Sequence, residues 1–545
     1  MRLERKACAT YNPGMQVGVA QINSQVGAID RNLEMILSHI AEAKRAECDL
    51  VIFPELALCG TPFGLACRTG FADRIKEALQ AIMVASNGIG VIVGAVSSSQ
   101  AQPTNAAPDH KLLNSAFLIA DGSLIGEQAK LTLQPCSETN EACTFAPGPG
   151  AQVFGFHEKL LGINIGEDLW SDDGPTDTQA GLGAELIINV TTSRFAVGKA
   201  ATHRQLATRR AKDNGITLVV VNLVGGQDEL VFDGGSFIVG PGGDLLYQAP
   251  YFAEGLFIAD LDELSPIPAP TDDPIDLVRR AIILGIHDYV RKNGFGKVLV
   301  GLSGGIDSAL VAALAVEALG AEVVTGVFLP SAITSQESHE DALDVARRLS
   351  IELLEVPIEE VAIACRNALP NEPTGLVDEN LQARARGILL MALANERHAL
   401  VLATGNKSEI AMGYNTLYGD TVGALAPIAD LYKSEVYRLV TAFGDCIPSQ
   451  VVGKAPSAEL RPGQRDEDDL YPYSILDPLL HELIEQNASR EELIAQGFSE
   501  PVVNDVLTRY FRSEYKRRQS PPAIRVSAKG LRSDGQMPIT HAYDH

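Results

Sequence analysis

An apolar run, Val298 to Leu302, leads through Ser303-Gly304-Gly305-Ile306-Asp307-Ser308 into a stretch rich in Ala, Val and Leu, Ala309 to Leu319. Such a run suits a strand buried on both faces, as in parallel sheets covered by helices. The stretch after it has the composition of a helix. Between them, glycines let the backbone approach a ligand closely, and the N–H groups of the turn and of the helix start point at one spot. That arrangement suits an anion, above all phosphate or pyrophosphate. No lysine follows the glycines, so this is not the Gly-x-x-x-x-Gly-Lys-[Ser/Thr] loop.

The turn resembles the pyrophosphate loop of the ATP-pyrophosphatase family, which cleaves ATP between its α and β phosphates. Around it lies a chain of 545 residues, too long for one core, so at least two domains are expected. A formal net charge of −25 argues against a nucleic-acid or membrane-surface binder. The eight cysteines form no Cys-x-x-Cys pair, which points to reduced thiols rather than a disulfide framework or zinc site. No uninterrupted apolar stretch reaches membrane-spanning length, and a cytoplasmic protein is expected.

In the first half, strand candidates at residues 15–21, 49–53, 90–97, 112–120, 160–165, 186–190, 216–221, 237–239 and 257–261 alternate with helical stretches at 32–45 and 205–212. Alternation of this kind argues a layered α/β fold. Glu55 ends one strand in FPELALCG, Lys130 follows another in EQAKLTLQP, and a third segment reads GINIGEDLW. In order and spacing these resemble the catalytic segments of the nitrilase family of amidases, in which a Glu is general base, a Lys stabilises the oxyanion and a Cys attacks the amide. Glu141 and Phe145 fall where that family carries a structural Glu and an aromatic. The resemblance implies an α-β-β-α sandwich. It also shows a departure, because the nucleophile position is Gly166, which has no side chain to attack with. Thr61 and Cys136 depart from the family pattern as well. Cys136 and Cys143 are read as small loop residues, not displaced nucleophiles.

Residues 262–274 carry four prolines and four acids and read as an extended connector. The expected division is therefore residues 1–265, a linker at 266–274, and residues 275–545. Beyond the Ser303 turn, a strand at 323–329, a helix at 339–349, a strand at 352–357, a helix at 380–397 and a strand at 399–404 predict a doubly wound parallel sheet, with ligands at the carboxyl ends of its strands. Thr404 offers a hydroxyl, Lys407 and Lys433 cations for phosphate, and Glu409 a hard oxygen ligand suited to Mg²⁺.

LSGGIDSAL, ENLQARARG, TGNKSEIAMGYNTLYGD and KAPSAELRPGQRDEDDL, together with VNLVGGQDELVFDGGS, resemble the glutamine-dependent NAD synthetase family over nearly the whole chain. The resemblance implies a ligase using ATP and Mg²⁺. Nicotinic acid adenine dinucleotide would be adenylated and then amidated to NAD, with AMP and pyrophosphate released. It places Gly301, Ser303, Gly304, Gly305, Asp307, Ser308, Thr404 and Lys433 on ATP or pyrophosphate, and Asp307 and Glu409 on Mg²⁺. Asn380, Arg386, Glu409, Asp420 and Lys529 fall to the dinucleotide. It implies a homo-oligomer too. With Gly166 in place of the nucleophile, Glu55 and Lys130 are expected to be remnants and free ammonia the nitrogen source. Two alternatives stand beside this: a glutamine-dependent enzyme whose cysteine has been replaced by an engineered glycine, and a non-catalytic nucleotide or glutamine sensor.

Overall fold

Strand β1 (Gln16–Gln21), expected over residues 15–21, is buried at five of its six residues. In the computed structural model, which describes residues 14–61, 68, 70–98, 112–135, 141–172, 174–532 and 536–540, it sits inside the first of two six-stranded sheets. Cys136 lies outside the described residues. The first sheet also holds β2 (Leu50–Ile52), β3 (Gly90–Ser98), β4 (Leu112–Ala120) and β5 (Ser123–Ala129). The second holds β6 (Val153–Phe156), β7 (Lys159–Ile165), β8 (Leu186–Thr191) and β9 (Thr217–Asn222). A hairpin of β10 (Val224–Gln227) and β11 (Leu230–Asp233) follows. Strands β12 (Phe237–Val239) and β13 (Leu245–Gln248) complete the second sheet, and β14 (Gly255–Asp260) returns antiparallel to β1.

Successive strand residues face opposite ways, and that alternation builds the layers. Ile188 of β8 joins Val17, Ile52, Leu118, Ile163 and Val219 in a core drawn from both sheets, whereas its neighbour Ile187 faces outward. There it meets Ala207 and Ala211 of a covering helix. Helices α1 (Ile29–Arg45) and α2 (Phe71–Ala85) pack on the first sheet. After α3 (Glu141–Thr144), helices α4 (Pro175–Gly181) and α5 (Lys199–Asn214) serve the second sheet. The expected α-β-β-α sandwich is the fold observed.

The chain divides into two compact units, with the change near Pro270–Thr271. Two short segments of the earlier chain, Arg194–Ala200 and Gly225–Phe232, group with the second unit. Backbone bonds tie them there: Val197 N donates to Val526 O (3.0 Å) and Arg525 N to Glu229 O (2.8 Å).

The second unit opens with α6 (Pro274–Lys292), capped by Asp273. Strands β15 (Val298–Gly301), β16 (Val324–Phe328), β17 (Glu352–Glu355) and β18 (Leu400–Leu402) form a fully parallel sheet in the order β17-β16-β15-β18. The crossovers are α7 (Ile306–Leu319), α8 (Gln336–Leu349), and the pair α9 (Glu359–Ala368) and α10 (Leu376–Arg397). The winding reverses between β17 and β18, so right-handed crossovers place α10 on the face opposite α7. Leu390 and Ala394 of α10 accordingly pack on Leu299, Val327 and Val401. The reversal leaves a crevice at the carboxyl ends of β15 and β18. Helices α11 (Lys407–Met412), α12 (Lys433–Val440), α13 (Ser449–Gly453), α14 (Tyr473–Glu485), α15 (Arg490–Ala495), α16 (Glu500–Arg512) and α17 (Glu514–Arg517) complete the unit. Among the described residues no helix is long and apolar enough to cross a membrane.

Candidate functional site

In the first unit, Glu55 follows β2, Lys130 follows β5 and Gly166 follows β7, so strand ends bring the three together. Glu55 and Lys130 are each only 2% exposed. The Lys130 ammonium donates to Glu55 Oε1 (3.0 Å), to Glu141 Oε1 (2.7 Å) and to Glu167 Oε2. Burial works to lower the Lys130 pKa, but Glu55, Glu167 and Glu141 outweigh it and hold the ammonium well above the usual range. Burial pushes Glu141 up to about 7 even beside Lys130. Glu55 Oε1 also accepts from Asn114 (2.7 Å), and its Oε2 from the Thr192 N–H (3.0 Å) and hydroxyl (2.9 Å). Its two oxygens thus serve four donors.

Gly166 adopts φ +49°, and a Cβ there would stand 2.8 Å from Lys130 Nζ and 2.9 Å from Glu55 Oε2. Position 166 therefore points straight at the Glu–Lys pair. Asp168 secures the bend: its carboxylate accepts from the N–H groups of Leu131 (3.0 Å), Thr132 (2.7 Å) and Ile165 (3.1 Å). Glu55, Glu141 and Glu167 bring carboxylate oxygens within 4.8 Å of one another, and Lys130 serves as their shared cation. Glu167 had not been singled out from the sequence. Its only signal was adjacency to Gly166, since its partner lies 37 residues earlier.

In the second unit the crevice opens into a cavity of about 850 Å³. Gly301, Ser303, Gly305, Asp307, Ser308, Asn380, Arg386, Thr404, Glu409, Asp420 and Lys433 all line it. Ser308 Oγ accepts from Ser303 N (3.2 Å) and donates to Gly305 O (2.9 Å), which fixes the turn. Gly304 does not line the cavity. Its φ is +81°, and a Cβ there would come within 2.4 Å of Ser338 O. Its role is to let the turn close on α8.

Lys433, 2% exposed, donates to Asp307 Oδ2 and stands 3.8 Å from Glu409 Oε1. Asn406 caps α11 and donates to Asp307 Oδ1 (3.2 Å), joining the β15 and β18 loops. Burial, then the neighbouring Asp307 charge, raises Glu409 to about 8 against the pull of Lys433. Mg²⁺ takes one or two carboxylates and completes its shell with phosphate oxygens and water. The Asp307 and Glu409 carboxylates on the cavity wall beside the phosphate turn fit that donor set.

One expectation is corrected in this unit. Lys407, a candidate phosphate contact by its sequence, is fully buried away from the cavity. Its ammonium meets Glu485 (2.8 Å), Asp430 (3.0 Å), Ser527 Oγ (2.8 Å) and Lys529 O (2.9 Å). Lys529 enters through that carbonyl, and its side chain does not line the cavity. An isolated basic residue in a motif gives no sign of carboxylates waiting 23 and 78 positions further on. Conversely, Ser338, Lys454, Glu459, Arg461, Asp466 and Lys516 line the cavity without having been singled out. Lys454 to Asp466 lay within a quoted motif whose individual side chains carried no assignment.

Comparison with known proteins bears on both units. The carbon-nitrogen hydrolase family model matches residues 16–266, and the NAD synthase model matches residues 278–520. A carbon-nitrogen hydrolase fold followed by an NAD synthase domain defines the class of enzyme. The chain is 38% identical to the glutamine-dependent NAD(+) synthetase of Synechocystis sp., across 97% of this chain and 99% of that one. Its identity to the enzyme of Acinetobacter baylyi is also 38%, over 97% and 98%. A solved glutamine-dependent NAD+ synthetase from Acinetobacter baumannii, in complex with ADP, superposes with a TM-score of 0.77 at 34% identity, covering 96% and 98%. That of Cytophaga hutchinsonii shares the fold, with a TM-score of 0.83 at 20% identity over 97% and 98%. The chain belongs to the glutamine-dependent NAD(+) synthetase family and is an enzyme of the ligase class.

Proposed function

We propose that this enzyme makes NAD from nicotinic acid adenine dinucleotide, ATP and free ammonia. In the first step a nicotinate carboxylate oxygen attacks the α-phosphorus of ATP, the α–β P–O bond breaks, and pyrophosphate leaves. In the second, ammonia attacks the acyl carbon, AMP leaves with the C–O electrons, and the nitrogen gives up a proton. The work asked of the protein is alignment of the reactants and stabilisation of phosphate charge. The Ser303 turn and Lys433 face the cavity as phosphate-binding groups would. Mg²⁺, held by Asp307 and Glu409, would neutralise further negative charge on the phosphates. Asn380, Arg386 and Asp420, which line the same cavity, are the proposed dinucleotide contacts.

The observation that carries the nitrogen source is Gly166. It directs its α-carbon at Glu55 and Lys130 yet brings no nucleophile to them. Without a thiol, Glu55 has no proton to take and no acyl-enzyme forms. The proposed enzyme is a cytoplasmic homo-oligomer. The test compares NAD and AMP formation with ammonium and with glutamine, in the presence of ATP, Mg²⁺ and nicotinic acid adenine dinucleotide. We expect product with ammonium alone. Turnover on glutamine in ammonium-free buffer would overturn the ammonia reading, and no product with either source would overturn the ligase reading for this chain.

A further inference from the structure

Glu459 is the residue of the second unit whose position the proposed chemistry leaves unexplained. It lines the cavity, where a carboxylate would oppose a triphosphate. Its backbone lies in the left-handed region at φ +47°, uncommon for a residue with a Cβ. Both features follow from where its side chain goes. Glu459 Oε1 accepts from the hydroxyls of Ser335 (2.9 Å) and Ser338 (2.6 Å). Lys454 Nζ donates to that same Ser338 hydroxyl at 2.5 Å and lies 3.4 Å from Asp341. Arg386, on the same cavity, is held by another partner: its Nε donates to Leu329 O at 3.0 Å.

Two hydroxyl donors on one carboxylate oxygen, with an ammonium bonded to one of those hydroxyls, make the kind of environment that phosphate oxygens occupy. The location matters as much as the chemistry. Ser338 is the residue whose carbonyl packs against Gly304, so this group of donors abuts the Ser303 turn. Ser338, Lys454 and Arg386 face the same cavity as Ser303 and Asp307. A carboxylate is the natural internal stand-in for a phosphate, because it offers the same acceptor oxygens with less charge.

We propose that Ser335, Ser338 and Lys454 form a second phosphate subsite beside the Ser303 turn, and that Glu459 is its displaceable internal occupant. The inference rests on the reading of this cavity as the ATP site. It adds which groups take the phosphates remote from the adenylated one, and what those phosphates must displace. A triphosphate or pyrophosphate long enough to reach past the Ser303 turn expels Glu459, and a shorter anion leaves it in place. The subsite thereby favours ATP over AMP by competition, in addition to direct attraction.

The Glu459→Gln variant separates this from a purely structural clasp. The amide oxygen still accepts from both serines, so the segment keeps its anchor, but the competing charge is gone. Inorganic pyrophosphate is titrated into the full-length protein by calorimetry, a readout that needs no turnover. We expect wild type to bind it and Glu459→Gln to bind it about fivefold or more tightly, roughly 1 kcal/mol. Ser338→Ala should weaken binding, and the affinity for AMP should be the same in wild type and Glu459→Gln. Pyrophosphate bound no more tightly by Glu459→Gln, or not bound by wild type, overturns the proposal. The NAD assay is read separately: its failure with tighter pyrophosphate binding in Glu459→Gln counts against the ligase reading, and not against the subsite.

Discussion

The carbonyl oxygen of Ser338 lies 2.4 Å from where a Cβ on Gly304 would stand. No side chain fits between the phosphate turn and the first turn of α8, and φ +81° adds backbone strain to the clash. Gly304→Ala is therefore expected to push the turn off α8. The strain alone costs about 1–3 kcal/mol. Pyrophosphate affinity measured by calorimetry should fall at least tenfold while the circular dichroism spectrum stays that of the wild type. An unchanged affinity would refute this account of the turn.

Lys407 offers a second prediction of the opposite kind. Lys407→Met removes the cation from a fully buried cluster and leaves Asp430 and Glu485 without their shared counter-charge. Breaking a buried pair in this way costs about 3–5 kcal/mol. The lost bonds to Ser527 and Lys529 O should also free the C-terminal segment. Urea unfolding should shift to lower denaturant, and limited proteolysis should newly cut within residues 520–532. A stable variant that has lost only ATP affinity would return Lys407 to the phosphate role.

Asp168 predicts a pH dependence. Burial, the largest influence, lifts its pKa from 3.8 to about 6 against three backbone N–H bonds and the Lys130 charge. A raised carboxylate pKa means that the folded state binds more protons than the unfolded state between those values. Its contribution to stability is complete below about pH 3.8 and is lost as the pH rises through about 6. Unfolding followed at a probe in the first unit should therefore show a falling component of stability across that window. Asp168→Asn should abolish that component while lowering overall stability by about 1–3 kcal/mol, because its amide N–H₂ faces a backbone donor. A variant keeping the wild-type pH slope would show that other groups set it.

The contrast between Asp307 and Lys407 shows what can be read from this chain before folding. Asp307 sits in a strand–turn–helix whose local rules dictate both its conformation and its place at a strand end, and it lines the cavity. The parallel sheet was legible for the same reason, since alternation and apolar runs are local signals; for the first unit they gave a layered α/β fold, and its two-sheet sandwich followed from the resemblance of its segments. Lys407 looked equally promising, but its fate depends on Asp430, Glu485 and Ser527, which only the fold brings near. Glu459 and Lys454 were hidden likewise, their significance set by serines more than a hundred residues earlier. The grouping of residues 225–232 with the second unit had no compositional trace at all. It depends on single bonds such as Gly226 N to Asp288 Oδ2 at 2.7 Å.

The last prediction concerns the first unit alone. Gly166→Cys is expected to restore little glutamine hydrolysis. The bend at φ +49° is strained for a residue with a Cβ, and that Cβ would enter space held by Lys130 Nζ at 2.8 Å and Glu55 Oε2 at 2.9 Å. To admit it, the ion pair must shift, yet Glu55 is held by Lys130, Asn114 and both donors of Thr192. A base so fully bonded is poorly placed to take a thiol proton, and a nucleophile without its base loses most of its rate. Thr61 and Cys136, which also depart from the family pattern, would leave glutamine weakly held. Glutamate release by Gly166→Cys should stay below about a hundredth of the ammonium-driven rate of NAD formation, the scale of a missing general base. The variant should also be less thermostable than wild type. The contrary result, brisk glutaminase activity from the single change, would mean that the pocket is intact apart from one atom group, and would make an engineered glycine the better explanation of residue 166.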